Sequence, residues 1–424
     1  FSIFATLNLS YGVFNNGMMK YENHQKEYIS SMQGLSIVAT TITFVLSILL
    51  IGVIRRFVTM SIAEMTIMFL QILFTPPLLF WSTQQRFMYK YKALVIVTLT
   101  VAVLNPIVGL IMVIGAQDKG FARIFSSAIV GIVVGAFFMV YNFVKGRVFF
   151  QKQYWRFALK FNLPLIPHYL SMIVLGQADR IMIGQYYGQS QIAIYGLAYS
   201  LSLVMNIITQ SINSSFVPWT YRQCKQGKYK DIGKVSDILL FVIGVCCLLP
   251  SVFAPELMAI LGPAEYAEGA YLVAPISMSV FFTFLYGLFG NIEFYFEKSK
   301  FVMIASISGA VLNIILNSIF IPMFGYQAAA YTTLICYIAF SIAHYIFMKK
   351  TCREQGITEP IYNIKRIIII SIVLFIVSHG VMFSYEFPLL RIGIIGIICA
   401  IVWMNRNKFI VELKQLKAKD NVSK

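Results

Sequence analysis

Few charged side chains interrupt the long apolar stretches of this 424-residue chain, and each raises a chemical question. Asp179 and Arg180 stand side by side in Gln177-Ala-Asp-Arg-Ile-Met-Ile-Gly184. A charge near the centre of a bilayer costs at least about 2.5–3.5 kcal/mol, so one that persists usually faces a partner or a cavity. Successive helical residues project about 100° apart, so these two cannot neutralise each other side by side. Two readings stand: an anion-binding arginine beside a carboxylate that binds a proton or cation, or an ion pair to another helix that serves packing alone.

Glu64 lies two residues into its apolar run, and Glu293 lies near the end of another, in Gly290-Asn-Ile-Glu-Phe-Tyr-Phe-Glu297. Each is a coupling-ion candidate, and each could equally snorkel to the interface. His168, His344 and His379 are proton-relay candidates because an imidazole ordinarily titrates near neutral pH, although a histidine in a span also serves as a hydrogen-bonded packing residue. Arg123, at the mouth of its run, suits a phosphate or acts as an interfacial anchor. Pro76-Pro77, Asn105-Pro106, Pro164 and Pro167 interrupt apolar runs, which favours bent helices along a pathway or kinks for packing. Gly131-Ile-Val-Val-Gly135 reads as a helix-packing face.

Enzymatic signatures are absent: there is no Asp-x-Asp, no Walker A loop, no His-Glu-x-x-His, and no Ser/His/Asp set on a sizeable loop. The chain is therefore expected not to be an enzyme and to carry no cofactor or metal. Of the six cysteines, Cys246, Cys247, Cys336 and Cys399 lie in apolar runs and Cys224 and Cys352 in basic surroundings, an arrangement that predicts no disulfide.

The elements that must hold these residues follow from composition. With 58% hydrophobic and 12% charged residues and a mean hydropathy of +0.76, the chain has half the charge of an ordinary globular domain. That defines an all-α polytopic membrane protein and leaves no polar stretch for a soluble domain. Runs long enough for a hydrocarbon core about 30 Å thick number twelve, from Leu35–Ile54 to Ile392–Met404, with a partial one at Phe1–Met19. Because residue 1 is Phe inside an apolar run, one more helix is expected upstream, for fourteen spans in all.

Alternating the runs across a bilayer from an inner loop after Met19 places 28 of the 34 Lys and Arg residues on one side and 5 on the other. By the positive-inside rule the first side is cytoplasmic and includes the C-terminus. The net charge of +17 is spread over separate loops, where anionic lipid is the counter-charge, so no nucleic-acid partner is expected. The expected organisation is an incomplete N-terminal lobe over 1–144, a basic amphipathic connector over 145–161 and a C-terminal lobe over 162–348. A loop over 349–366, two further spans over 367–404 and a basic tail over 405–424 complete it. A short echo links residues 2–10 with 193–202, as repeated lobes or chance likeness of two apolar helices would give.

Three segments carry a family resemblance. Leu312-Asn-Ile-Ile-Leu-Asn-Ser-Ile-Phe-Ile-Pro-Met-Phe-Gly325 with Ala328-Ala-Ala330, the run Gln177 to Gly188 with Tyr195, and Phe216-Val-Pro-Trp-Thr-Tyr221 resemble motifs of polysaccharide flippases. In order and spacing the chain is similar throughout to the Wzx-type lipid-linked oligosaccharide flippases of the multidrug/oligosaccharidyl-lipid/polysaccharide exporter superfamily. It departs at Gln327, where that family usually has a small residue. The resemblance implies two six-helix lobes with two C-terminal helices and alternating access by lobe rocking in a bacterial inner membrane. It implies transfer of an undecaprenyl-pyrophosphate-linked O-antigen or capsule repeat unit to the outer leaflet, driven by a proton or sodium gradient. A polysaccharide polymerase and a chain-length regulator become expected partners. Under it, Arg180 and Arg123 attract pyrophosphate, Asn15, Asn16, Gln177 and Asn313 contact sugar, and Asp179, Glu64 or Glu293 binds the coupling ion. The competing readings are a drug/cation antiporter of the same superfamily and a membrane glycan polymerase or acyltransferase.

Overall fold

The computed structural model describes residues 1–55, 61–387, 389–396, 400 and 403–404, and the side chains of 120, 121, 123 and 124 fall outside that description. Among the described residues every regular element is helical, and the protein is an all-α polytopic membrane protein. Its helices are α1 (Ser2–Thr6), α2 (Gly12–Lys20), α3 (Gln25–Leu49), α4 (Ile51–Ile54), α5 (Ile62–Phe87), α6 (Tyr91–Gly115), α7 (Lys119–Gly146) and α8 (Lys152–Asn162). There follow α9 (Ile166–Tyr187), α10 (Gln189–Lys225), α11 (Tyr229–Val252), α12 (Ala254–Leu261), α13 (Ala270–Tyr295), α14 (Ser299–Phe324), α15 (Ala328–Glu354) and α16 (Ile364–Gly380). Eleven helical stretches among the described residues are long and apolar enough to cross a membrane. The expected span at 392–404 is described only in part, and the basic tail at 405–424 lies outside the described residues. The chain divides into two compact units, one ending at Leu170 and the other beginning at Ser171.

In the first unit the run expected as one partial span is broken. Leu7 and Asn8 adopt left-handed backbone conformations with φ of 50° and 51°, which stops α1 and re-aims the chain into α2. A break at membrane depth frees carbonyls that lipid cannot satisfy. Thr40 Oγ1 donates to the Ala5 carbonyl at 3.0 Å, and Asn162 Nδ2 donates to that of Leu7. The matching stretch 193–202 lies inside the continuous α10, so the sequence echo does not extend to conformation.

The expected basic connector is not a free linker. Residues 152–162 form α8, whose Tyr154 packs on Tyr21 and Tyr28 at ring distances of 4.6 and 5.5 Å, while Trp155 Nε1 donates to the Ser31 carbonyl at 2.9 Å. Lys152, Arg156 and Lys160, four residues apart, share the opposite, exposed face.

Pro76 and Pro77 lie inside α5, and the Pro77 carbonyl accepts from buried Asn142 at 3.1 Å. Asn142 also donates to Gln33 Oε1 at 3.0 Å, so one amide joins α3, α5 and α7. Gly135 of α7 lies against α5 so closely that a Cβ there would sit 1.9 Å from the Phe74 carbonyl oxygen, whereas one at Gly131 would meet nothing. Only half of the Gly-x-x-x-Gly face is therefore a close contact.

The second unit is organised around α13. No charge occurs on α13 before Glu293, it is buried along most of its length, and α10, α11, α14, α15 and α16 all touch it. Gly325, with φ of +88°, ends α14 in a conformation that side chains rarely adopt, and exposed Gln327 immediately precedes α15. Because Gln327 faces outward, its size is accommodated. The segment expected as a sixteen-residue outer loop, Ala254 to Gly269, is instead α12 followed by a turn of 3-10 helix. Glu256 there pairs with Arg391, both guanidinium nitrogens lying 2.7 Å from the carboxylate oxygens.

Replacing Gly135 by leucine is expected to destabilise the protein by about 1–3 kcal/mol through overpacking against α5, while Gly131→Leu is tolerated. Thermal unfolding of the two variants in detergent distinguishes them, and equal melting temperatures would refute the close contact.

Candidate functional site

Asp179 projects from α9 into the second unit and is 2% exposed. Tyr195 of α10 donates to its Oδ2 at 2.7 Å, and Thr333 of α15 donates to the same oxygen at 2.6 Å. Its Oδ1 accepts from Asn317 at 2.7 Å and from Asn313 at 3.4 Å, both on α14. Asn313 and Asn317 are four residues apart, which stacks them on one helix face and explains why the Leu-Asn-x-x-Leu-Asn motif has its spacing. Asn317 also donates to Asn313 Oδ1 at 3.2 Å and accepts from the Thr332 hydroxyl. Four helices thus meet on one carboxylate, and an ionised carboxylate offers about four acceptor positions, all of which are used.

The chemistry of this ring is two-sided. Every group around Asp179 is a hydroxyl or a carboxamide, and each donor also carries an oxygen. By rotating a hydroxyl or turning an amide, the same side chains change from donating to a carboxylate to presenting oxygens to a hard cation, which takes oxygen ligands. A lysine or arginine in the ring would forbid that exchange. Among the described residues no group of three or more His, Cys, Asp or Glu is placed to hold a metal ion, so such a cation would rest on one carboxylate and neutral oxygens.

Arg180, one residue on, leaves this ring. Its guanidinium lies 4.6 Å from the centre of the Tyr199 ring, and Tyr199 stacks in turn on Tyr195. Its Nη1 reaches exposed Gln177 at 3.5 Å, the outer limit of a hydrogen bond, and its Nε is buried without a partner. Arg180 makes no ion pair among the described residues. The packing-only ion pair considered for Asp179 and Arg180 is therefore not formed. The carboxylate is saturated by neutral donors, and the cation is left with free ones.

The other candidates fall into separate places. Asn313 is fully buried and holds Asp179, so in this conformation it presents no open face to a sugar. Glu293 is 0% exposed and faces His344, 1% exposed, across 2.9 Å, rather than snorkelling to the interface. Glu64 accepts the Ser61 backbone N–H at 2.8 Å while Ser61 caps the Glu64 N–H, a reciprocal cap that accounts for an acid at the start of α5. Asn15 and Asn16 sit on α2 of the first unit, Asn16 buried and Asn15 half-buried. The Arg123 side chain lies outside the described residues. His168 is buried, and His379 bonds and stacks within its own helix, Nδ1 lying 3.0 Å from the Phe375 carbonyl oxygen. Thr332, Thr333 and Tyr199 went unread in the sequence because a threonine or tyrosine in an apolar run gives no signal of its partner. The asparagine pair was the signal available.

These helices define a polytopic all-α membrane fold. A family model described as polysaccharide biosynthesis protein matches residues 6–223, half of the chain, and a second, MatE, matches residues 164–319. The chain belongs to the polysaccharide biosynthesis protein family. It is 24% identical over 160 residues to a Haemophilus influenzae protein named Lsg locus putative protein 1, covering 37% of this chain and 40% of that one. The matched segments span 40–48% of the length of the curated relatives. In fold it is similar to an outward-facing multidrug resistance MATE family transporter of the MOP superfamily, with a TM-score of 0.69 at 12% identity over 84% of this chain and 86% of that one. It is likewise similar to the lipid II flippase MurJ in an inward closed conformation, with a TM-score of 0.56 at 16% identity over 96% and 92% of the two chains. The fold is thus similar to that of solved transporters of the MOP superfamily.

Replacing Thr333 by valine removes a donor from a buried carboxylate and is expected to cost about 1–3 kcal/mol. Melting of Thr333→Val beside the surface control Thr41→Val tests this, and an unchanged midpoint would show that the Thr333 bond is dispensable.

Proposed function

We propose that this protein flips an undecaprenyl-pyrophosphate-linked oligosaccharide repeat unit from the inner to the outer leaflet of a bacterial cytoplasmic membrane, for O-antigen, capsule or exopolysaccharide assembly. The observation that carries this reading is Arg180: a cation within a membrane-spanning helix, with unpartnered donors, one residue from a carboxylate that neutral groups have already satisfied. An uncompensated charge at such a position costs several kcal/mol unless something anionic meets it. A guanidinium fork matches phosphate oxygens in charge and geometry. Family membership and the MOP architecture support a lipid-linked glycan as the bearer of that phosphate.

In this proposal Arg180 receives the pyrophosphate, with Gln177 beside it, and Asn15, Asn16 and Arg123 are further candidates for cargo contact. Asp179 binds the coupling cation, a proton or sodium, through the oxygens of its ring. The asymmetry of Lys and Arg supports a cytoplasmic C-terminus. A glycan polymerase and a chain-length regulator would act next to it on the flipped unit. The match to MatE over residues 164–319 favours one other reading, a drug/cation antiporter. Drug resistance on overexpression without any effect on surface glycan would select it.

Deleting the gene should remove surface glycan and leave single, complete lipid-linked units on the inner leaflet, as gel and mass spectrometry would register. Units that accumulate unpolymerised on the outer leaflet would identify a polymerase instead. Arg180→Ala should reproduce the deletion at normal protein level, and intact glycan display in that variant discards the arginine's role.

The cation assignment has its own test. At ten times its Kd, a bound ion adds about 1.4 kcal/mol to stability. The ion that raises the melting temperature of the wild-type protein, sodium at fixed pH or protons at fixed sodium, should no longer do so in Asp179→Asn. A full response in that variant removes Asp179 from the role.

A further inference from the structure

A second carboxylate is buried in the second unit under opposite conditions. Glu293 of α13 lies 2.9 Å from His344 Nδ1 of α15, and both residues are sealed from the surface. Glu293 Oε2 and His344 Nε2 have no hydrogen-bond partner. Where Asp179 has four donors, Glu293 has one contact. A buried pair kept for stability alone is poorly justified in this form, because apolar residues of similar volume often serve as well or better. Each unsatisfied buried polar atom calls for an explanation.

The surroundings select the ligand. Phe340 meets the imidazole edge-on at 4.6 Å and Tyr286 stacks on it at 5.3 Å, so apolar ring faces enclose it. Tyr286 stacks on the His344 ring and Cys352 lies within electrostatic reach of Glu293, whose one charged partner among the described residues is His344. Toward the Lys298 end of the helix, the ion pair of Lys298 and Glu354 at 2.6 Å follows. A single carboxylate and a single imidazole are too few ligands for sodium or calcium. They suffice for a proton.

The pair is also joined to Asp179. Thr333, Tyr337 and His344 fall at i, i+4 and i+11 on α15, one stripe about 16 Å long. Thr333 bonds Asp179, Tyr337 lies within electrostatic reach of Asp179 and Tyr286, and Tyr286 stacks on His344. Hydroxyl-bearing side chains thus line the α13–α15 seam between the two carboxylates.

We propose that Glu293 and His344 form a proton-binding site distinct from the Asp179 ring. The exchange within it is balanced: the carboxyl O–H of Glu293 gives its proton to His344 Nδ1, leaving carboxylate and imidazolium, and the reverse step restores the neutral pair. Net uptake or release of one proton from this pair is an exchange with water. Its part in a transport cycle rests on the flippase reading above, whereas proton binding itself does not.

The test is therefore made on the purified full chain without cargo. Infrared difference spectra across about pH 5 to 8, the range in which histidine titrates, should contain a protonated-carboxyl band that is lost in Glu293→Gln and kept in Asp179→Asn. His344→Gln, which keeps a polar side chain if Glu293→Gln fails to fold, should move the midpoint by at least about one pH unit, as coupled sites require. A band insensitive to Glu293→Gln, the absence of any titrating band, or a midpoint unmoved by His344→Gln would each overturn the proposal. None of these outcomes depends on whether the protein flips a glycan.

Discussion

A carboxylate sealed among four helices must be given a donor for every lone pair, and the second unit is arranged around meeting that requirement at Asp179. The helices that supply the donors are distant in sequence: α9 brings the acid, α10 a tyrosine, α14 two asparagines and α15 two threonines. In lipid, helix association gains little from apolar burial, because lipid tails are as apolar as leucine, and polar contacts and close packing decide which faces meet. Each bond to Asp179 thereby fixes the rotation of one helix. Tyr195, Asn317 and Thr333 set the facing of α10, α14 and α15, and α13 is held where these helices enclose it.

Saturation of Asp179 also determines what Arg180 can do. Had the arginine turned toward the acid, the unit would contain a neutral pair with nothing to offer an anion. Helical geometry sends it about 100° away, onto Tyr199, and neutral groups take over the acid. Adjacent residues of opposite charge are thus kept electrically separate, the anion inside the helix bundle and the cation with open donors.

The spans could be read from the sequence because bilayer thickness dictates their length, and apolar runs at Leu35, Ile62, Ala93 and beyond correspond to α3, α5 and α6. The charge pair at 179–180 was recognisable for the same reason, as its cost in lipid makes it conspicuous. Partners were not. Asp179 and Thr333 are separated by 154 residues, and no local periodicity encodes which helix faces which. For Asn313 the resemblance implies a sugar contact, and nothing local in the sequence shows that its amide also reaches the acid 134 residues earlier. The α1–α2 break escaped notice because Leu7 and Asn8 carry no glycine or proline to announce it, their left-handed conformations being stabilised by Thr40 and Asn162 from elsewhere.

The two buried acids of the second unit illustrate how satisfaction and function divide. Asp179 is surrounded by hydroxyl and carboxamide groups, each of which carries an oxygen as well as the donor it now uses. Glu293 and His344 have no such choice: their other polar atoms face no partner, and proton position is the only variable left. Closely packed interiors respond to small local changes by moving between discrete arrangements rather than by deforming gradually. Both acids bear on α15, one through Thr333 and the other through His344, eleven residues apart on one stripe. A change of charge at either end therefore acts on the same helix, and that helix lies along α13, the element on which the second unit is assembled.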